Sequence, residues 1–170
     1  VDVKQRIVIS GRGGQGVLTL TRVVAEAAVA AGHEVITTET HGMAQRGGAV
    51  LSTVKVGPFH GPLIGPGEAE IGLFLHADNL PIHGHYLRPD AAAVVNGSGA
   101  PGADAVDADG LAARVGQPRA ANLALLGYAA GKGVLFTGPD LFEETIRTIS
   151  PAKHLDQNLA AFRAGVEASR

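Results

Sequence analysis

The chain has 170 residues, a formal net charge of −2, only 4% aromatic residues and no cysteine, a size that suits one domain able to bury a core without disulfide or metal staples. Without thiols it can hold no thiolate-ligated iron–sulfur cluster, and without a basic stripe it is not expected to bind nucleic acid. No apolar run approaches the roughly 20 residues needed to span a bilayer, and Val1-Asp-Val-Lys-Gln-Arg6 lacks the apolar core of a signal peptide, so a cytoplasmic domain without membrane contact is expected.

Ile7-Val-Ile9 is a β-branched run that reads as a buried strand. Gly11-Arg-Gly-Gly-Gln-Gly16 follows as a glycine-rich loop. Val17, Leu18, Leu20, Val23, Val24, Ala27, Ala28 and Ala31 then recur at helical spacing until Gly32 closes the helix. Val35-Ile-Thr-Thr38 is the second strand and completes a unit of βαβ length. A polar, glycine-rich loop runs from Glu39 to Gly48, and a third strand from Ala49 to Val56. Residues 57–67, Gly-Pro-Phe-His-Gly-Pro-Leu-Ile-Gly-Pro-Gly, cannot be regular structure, because each proline removes a donor and each glycine loosens φ. They read as an irregular arm whose Phe59, Leu63 and Ile64 have no evident core to join, and such an arm packs on its own domain or on a partner chain. Strands are predicted at 69–75 and 91–95, joined by a short helical passage around Asn79 to Leu87. Residues 96–104 are turn-rich. Helices are predicted over 120–130, 140–149 and 155–168, with Pro139 in the first turn of the second and Pro151 separating it from the third. The expected fold class is α/β: a single three-layer domain over residues 1–170, with a mostly parallel, Rossmann-like sheet and a Pro/Gly-rich arm.

The glycine loop fits G-x-G-x-x-G between a strand and a helix, which presents backbone N–H groups and a helix amino terminus to an anion. Gly11, Arg12, Gly13, Gly14, Gln15 and Gly16 are therefore candidate cofactor-binding residues, and Glu39 stands where a ribose-binding carboxylate would lie. The alternative is a loop that only shapes a tight strand-to-helix turn. A nicotinamide site is disfavoured by the long cation Arg12 and the polar Gln15 within the turn, and by the little chain left for a substrate domain. The second loop leaves the same carboxyl edge of the sheet, where ligands of open α/β sheets gather. There Arg46 offers a planar fork for carboxylate or phosphate, Gln45 can donate and accept, His41 can order the loop or exchange a proton, and Gly47-Gly48 permits close backbone approach. Equally, Arg46 can tie loop carbonyls to Glu39. His76, Asp78, His83 and His85 cluster in sequence, but surface or capping roles are expected rather than a metal site. Ser10 lies in no nucleophile elbow, and no catalytic residue is assigned.

Taken together, Gly11-x-Gly-Gly-Gln-Gly16, Leu18, Ala25-Glu-Ala-Ala28, Gly32 and Glu39-Thr-His-Gly-Met-Ala-Gln-Arg-Gly-Gly48 resemble the gamma-type subunit of 2-oxoacid:ferredoxin oxidoreductases. That group includes the pyruvate, 2-oxoisovalerate, 2-oxoglutarate and indolepyruvate enzymes, and the second loop is most similar to the small (beta) subunit of the last. Asn122-Leu-Ala-Leu-Leu-Gly127 and Pro151-x-Lys153, Asn158-Leu-Ala-Ala-Phe162 and Gly165 continue the likeness, whereas residues 57–67 and 96–119 match nothing diagnostic. The resemblance implies a subunit of a complex that oxidatively decarboxylates a 2-oxoacid, inactive alone. It also implies thiamine diphosphate, magnesium and iron–sulfur clusters on partner subunits, and ferredoxin as electron acceptor through the complex. This chain would support assembly and contribute to coenzyme A binding, and in isolation it could form a homodimer. The alternative is a stand-alone NAD(P)-binding oxidoreductase domain.

Overall fold

The computed structural model describes residues 2–39, 48–99 and 101–170. The chain opens with β1 (Gln5–Arg12), α1 (Val17–Ala30) and β2 (Val35–Glu39), and Gly32 follows α1 with φ +85°. β1 outlasts its apolar run because Gly11 and Arg12 still pair with Val50 and Ala49 of β3 (Ala49–Val56). The first two residues of the expected glycine loop are thus held in a ladder.

Among the described residues the sheet is six-stranded, in the order β2-β3-β1-β4-β5-β6, with β4 at Ala69–Phe74, β5 at Leu87–Asn96 and β6 at Asp104–Val106. β1, β4, β5 and β6 pair in parallel, whereas β3 runs antiparallel to both β1 and β2. The sheet is mostly parallel, as expected, but β2 is not the neighbour of β1 that a simple βαβ unit would make it. Burial explains the exchange. β3 is buried from Val50 to Val56, while β2 exposes Thr37 and Glu39. An apolar strand gains most inside a sheet, and a polar one is tolerated at its edge.

β6 and α3 (Ala108–Arg114) lie in a stretch that carried no reading as regular structure. β6 is too short for an alternating pattern, and α3 buries only Ala108 and Ala112, a weak apolar stripe. Its cap is well formed, with Asp107 Oδ1 accepting from Gly110 N–H at 2.9 Å. The three expected helices are present as α4 (Ala121–Gly131), α5 (Pro139–Ile149) and α6 (Leu155–Ala168).

The long helices cover one face of the sheet. Ile7, Ile9, Val54, Leu73 and Val94 meet Leu20, Val24, Leu125, Phe142 and Phe162 in the main core. The other face, with Val8, Leu51, Phe74 and Val95, receives a thinner layer made of α2 (Asn79–His83), the turn at Gly84–Tyr86 and the arm. Ile64 of the arm does find a core there, whereas Leu63 stays exposed.

α4 and α6 cross with their backbones nearly touching. A Cβ at Gly127 would strike Phe162 O, and one at Gly165 would strike Ala124 O. This contact fixes where α4 begins, and α4 begins at the site. Among the described residues no helix is long and apolar enough to cross a membrane.

Candidate functional site

The strand order reverses direction of growth between β1 and β4: the chain proceeds to β2 and β3 on one side and to β5 and β6 on the other. A crevice opens outside the carboxyl ends of strands at such a switch point, and ligands of α/β sheets bind in it. The glycine loop after β1, Leu75 after β4 and Asn96 at the end of β5 all arrive at this edge.

Four side-chain amides fasten it. Asn79, buried at the start of α2, donates to Ser10 Oγ at 2.9 Å and Gly11 O at 2.8 Å. Gln15 folds back so that Oε1 accepts from Arg12 N–H at 2.7 Å and Nε2 donates to Leu75 O at 3.0 Å. Asn96 donates to the same Leu75 O at 3.1 Å and accepts from Ala108 N–H at 2.9 Å, which ties β5 to α3. Asn122, at the start of α4, donates to Gly16 O at 3.1 Å. Each amide has both donor and acceptor capacity, so one side chain can bridge two elements without burying a charge.

Gly16 is the N-cap of α1 with φ +83°, and a Cβ there would also collide with Asn122 Nδ2. Glycine is thus required twice over at this position. At Gly14 no atom of the described residues beyond its chain neighbours lies within 4 Å of where a Cβ would sit. No described side chain caps α1 and no acidic residue lies in its first turn, so its partial positive charge is not neutralised by its own helix.

Two clefts border Gly14. One, of about 620 Å³, is lined by Gly14, Gly16, Thr19, Arg119, His154 and Asn158 among others. A smaller one, of about 230 Å³, reaches Gln15, Leu75, Asn96 and Asp109, and Arg119 borders both. Arg119 is exposed, and no described residue pairs with its guanidinium. The His154 ring lies beside the Gln117 amide, at 3.3 Å between Nδ1 and Nε2. A helix amino terminus, a guanidinium that no described residue pairs and an imidazole thus border one cleft, an arrangement whose donors match the oxygens of a phosphate.

Of the residues singled out in sequence, Gly14 and Gly16 line the cleft, and Gly13 donates to Gly48 O at 3.0 Å, so the first loop is bonded to the end of the second. Gly11 is a ladder residue held by Asn79. Arg12 is engaged elsewhere: Nη2 lies 2.6 Å from Asp78 Oδ2, across the crevice between β1 and the chain after β4. His41, Gln45, Arg46 and Gly47 lie outside the described residues. Glu39 ends β2, with β3 interposed before the glycine loop, which removes it from the place a ribose carboxylate takes beside β1. His76 Nδ1 accepts from Asp78 N–H at 3.0 Å, a capping role, and His85 packs on Tyr86 with ring centroids 4.2 Å apart. Arg119, His154, Asn79 and Asn96 were not singled out in sequence. Only Arg119 carried a local signal, a cation in Gln117-Pro-Arg119 just ahead of the Asn122 helix.

The family described as pyruvate ferredoxin/flavodoxin oxidoreductase matches residues 6–168. An indolepyruvate oxidoreductase subunit, IorB, of Archaeoglobus fulgidus is 31% identical over 189 aligned positions, which cover 96% of this chain and 94% of that one. The gamma subunit of a keto/oxoacid ferredoxin oxidoreductase from Geobacter sulfurreducens superposes with a TM-score of 0.79 at 25% identity, over 97% of this chain and 98% of that chain. A 2-oxoglutarate:ferredoxin oxidoreductase from Magnetococcus marinus, solved with 2-oxoglutarate, coenzyme A and succinyl-CoA bound, shares the fold at a TM-score of 0.79 and 19% identity. That match takes in 98% of this chain but only 31% of the other, so there the fold is one part of a longer polypeptide.

Proposed function

The chain belongs to the pyruvate ferredoxin/flavodoxin oxidoreductase family, and from that premise we propose that it is the subunit of a cytoplasmic, thiamine-diphosphate-dependent 2-oxoacid:ferredoxin oxidoreductase that carries no redox cofactor and grips the phosphates of the acyl acceptor, coenzyme A. The observation that carries this reading is the convergence of the α1 amino terminus, Arg119 and His154 on one cleft of about 620 Å³, a size typical of small-molecule sites. Coenzyme A, when bound, supplies the thiol that takes up the acyl group. This chain's share is binding and orientation. The Arg119 fork pairs with a phosphate in two parallel hydrogen bonds, the first N–H groups of α1 face the same charge, and His154 and Asn158 add polar contacts.

Gly14 and Gly16 bring backbone to the ligand, Gly11 and the Gly13–Gly48 hydrogen bond hold the two loops beside it, and His41, Gln45, Arg46 and Gly47 are proposed to contribute to the site from the second loop. Arg12 and Gln15 keep the first loop in shape through Asp78 and Leu75. The donor set offers nothing comparable to the other groups of such enzymes. There is no cysteine for a cluster, and no group of three His, Cys, Asp or Glu among the described residues could hold a metal ion. In this reading thiamine diphosphate, magnesium and the iron–sulfur clusters are carried by partner subunits.

The chain alone should give no 2-oxoacid-dependent dye reduction. In the complex reconstituted with its thiamine- and cluster-bearing partners, Arg119→Ala should raise KM for coenzyme A about tenfold or more with kcat little changed, as expected for loss of a charge-assisted hydrogen bond made equally in ground and transition states. Robust turnover by the isolated chain, or an unchanged KM in the variant, would overturn the reading.

A further inference from the structure

The thin layer over the second sheet face holds a charge imbalance that the cleft does not use. Phe59 of the arm lies among Lys4, Arg6 and Lys55, whose charged groups stand 4.9, 5.0 and 5.0 Å from its ring centroid. Lys55 is only 7% exposed, and its ammonium has Gly61 O at 2.9 Å as its hydrogen-bond partner. Arg6 is answered by Glu70 at 2.6 Å, which Arg88 also approaches at 3.8 Å, and Arg88 meets Asp90 at 3.2 Å. Among the described residues these cations therefore share two carboxylates, and Lys4 pairs with neither. The ring quadrupole offsets part of this positive charge. A crowded, partly dehydrated set of cations still gains from further carboxylates.

The arm that covers this cluster is pinned at intervals. Gly57 N–H donates to Glu34 O and Gly67 N–H to His85 O, both at 2.9 Å, Gly61 O receives Lys55, and Ile64 is seated in the second core. Between the last two anchors Leu63 is held out to solvent, 81% exposed. Ile82 of α2, in the same layer, is also exposed. A pinned, protruding leucine gains nothing for the isolated chain, but it lowers the ordering cost of inserting that side chain into a partner.

We propose that this face docks an acidic surface of a partner subunit, with Leu63 entering an apolar pocket there and Lys4 and Arg88 pairing with carboxylates around it. The proposal rests on the reading of the chain as a subunit of a complex. A second copy is the poorer occupant, because a twofold interface would set the same cationic patch against itself.

The wild-type chain and the variants Leu63→Asp, Lys4→Glu and Arg88→Glu, all at exposed positions, are titrated against the thiamine- and cluster-bearing partner subunits, with circular dichroism confirming the fold. Leu63→Asp should weaken association about tenfold or more, as for a buried interface anchor. Each charge reversal should weaken it several-fold at low salt and much less at about 0.5 M salt, where screening is strong. Equal affinity of all variants in a complex that the wild type does form would overturn the docking surface and leave the subunit reading standing. A wild-type chain that joins no such partner would remove both. A homodimer of the isolated chain that Leu63→Asp dissociates would make a second copy the occupant, against the proposal.

Discussion

Ser10, Asn79 and His83 form a polar cluster at the foot of the glycine loop, and its surroundings favour a neutral His83 imidazole. Asn79 donates to Ser10 Oγ, and the one acceptor for the hydroxyl proton among the described residues is His83 Nδ1, 2.6 Å away. That nitrogen must be unprotonated to accept. Burial, and then the charge of His85, lower the His83 pKa in keeping with this. In the unfolded chain the imidazole titrates at about 6.5. The stabilisation is therefore complete above that value, and it is lost as pH falls from there through the lower folded pKa. The thermal midpoint should drop on acidification below about pH 6.5, and His83→Gln should shrink that drop while costing about 1 kcal/mol at neutral pH, a hydrogen bond's worth. A parallel pH profile in the variant would sink the assignment. The cluster was invisible in the sequence because its partners lie 73 and 69 positions from Ser10. Gly16 was legible, since a strand-to-helix turn announces its glycines. Its second constraint, the Asn122 amide above it, was not. Gly16→Ala should cost about 2 kcal/mol or more, from strained φ together with that collision, measured by urea unfolding.

At the scale of elements, the α4–α6 crossing gives a physical reason for two carboxyl-terminal motifs that the sequence offered only as likeness. Gly127 admits the backbone of α6 at Phe162, and Gly165 admits that of α4 at Ala124. The same α4 carries Asn122 onto Gly16. A methyl group at Gly165 has backbone, not a flexible side chain, to displace, so the helices must separate. Gly165→Ala should destabilise by about 3 kcal/mol, the upper range for overpacking. It should also disturb the glycine loop, although the substituted residue lies on another element. Circular dichroism melts and the coenzyme A KM of the complex test the two halves separately. Loss of stability with an unchanged KM would show that α4 does not position the loop. β6 and α3 escaped the sequence for the opposite reason: short, alanine-lined elements have their packing but little periodicity of their own.

For the molecule as a whole, strand order decides what the glycine fingerprint can mean. The strand–loop–helix–strand succession was legible, and so was the glycine turn, but neither states which strand lies beside β1. The uninterrupted burial of β3 against the exposed Thr37 and Glu39 of β2 is the physical cause of the exchange, and it becomes evident only once both strands share a sheet. With β3 between them, β1 and β2 are two strand spacings apart, roughly 10 Å rather than 5. A dinucleotide whose diphosphate lay on α1 would find Glu39 beyond the reach its ribose requires, and Gln15 already occupies the crevice through Leu75. Titration with NADH and NADPH, followed by ligand fluorescence, should accordingly give no saturable binding below millimolar concentration, where a dinucleotide site of this class would saturate. Saturable binding abolished by Gly13→Asp would reverse that argument. The loop would then have to recognise the nucleotide without a carboxylate on the neighbouring strand, by contacts from the Arg119 side of the cleft alone.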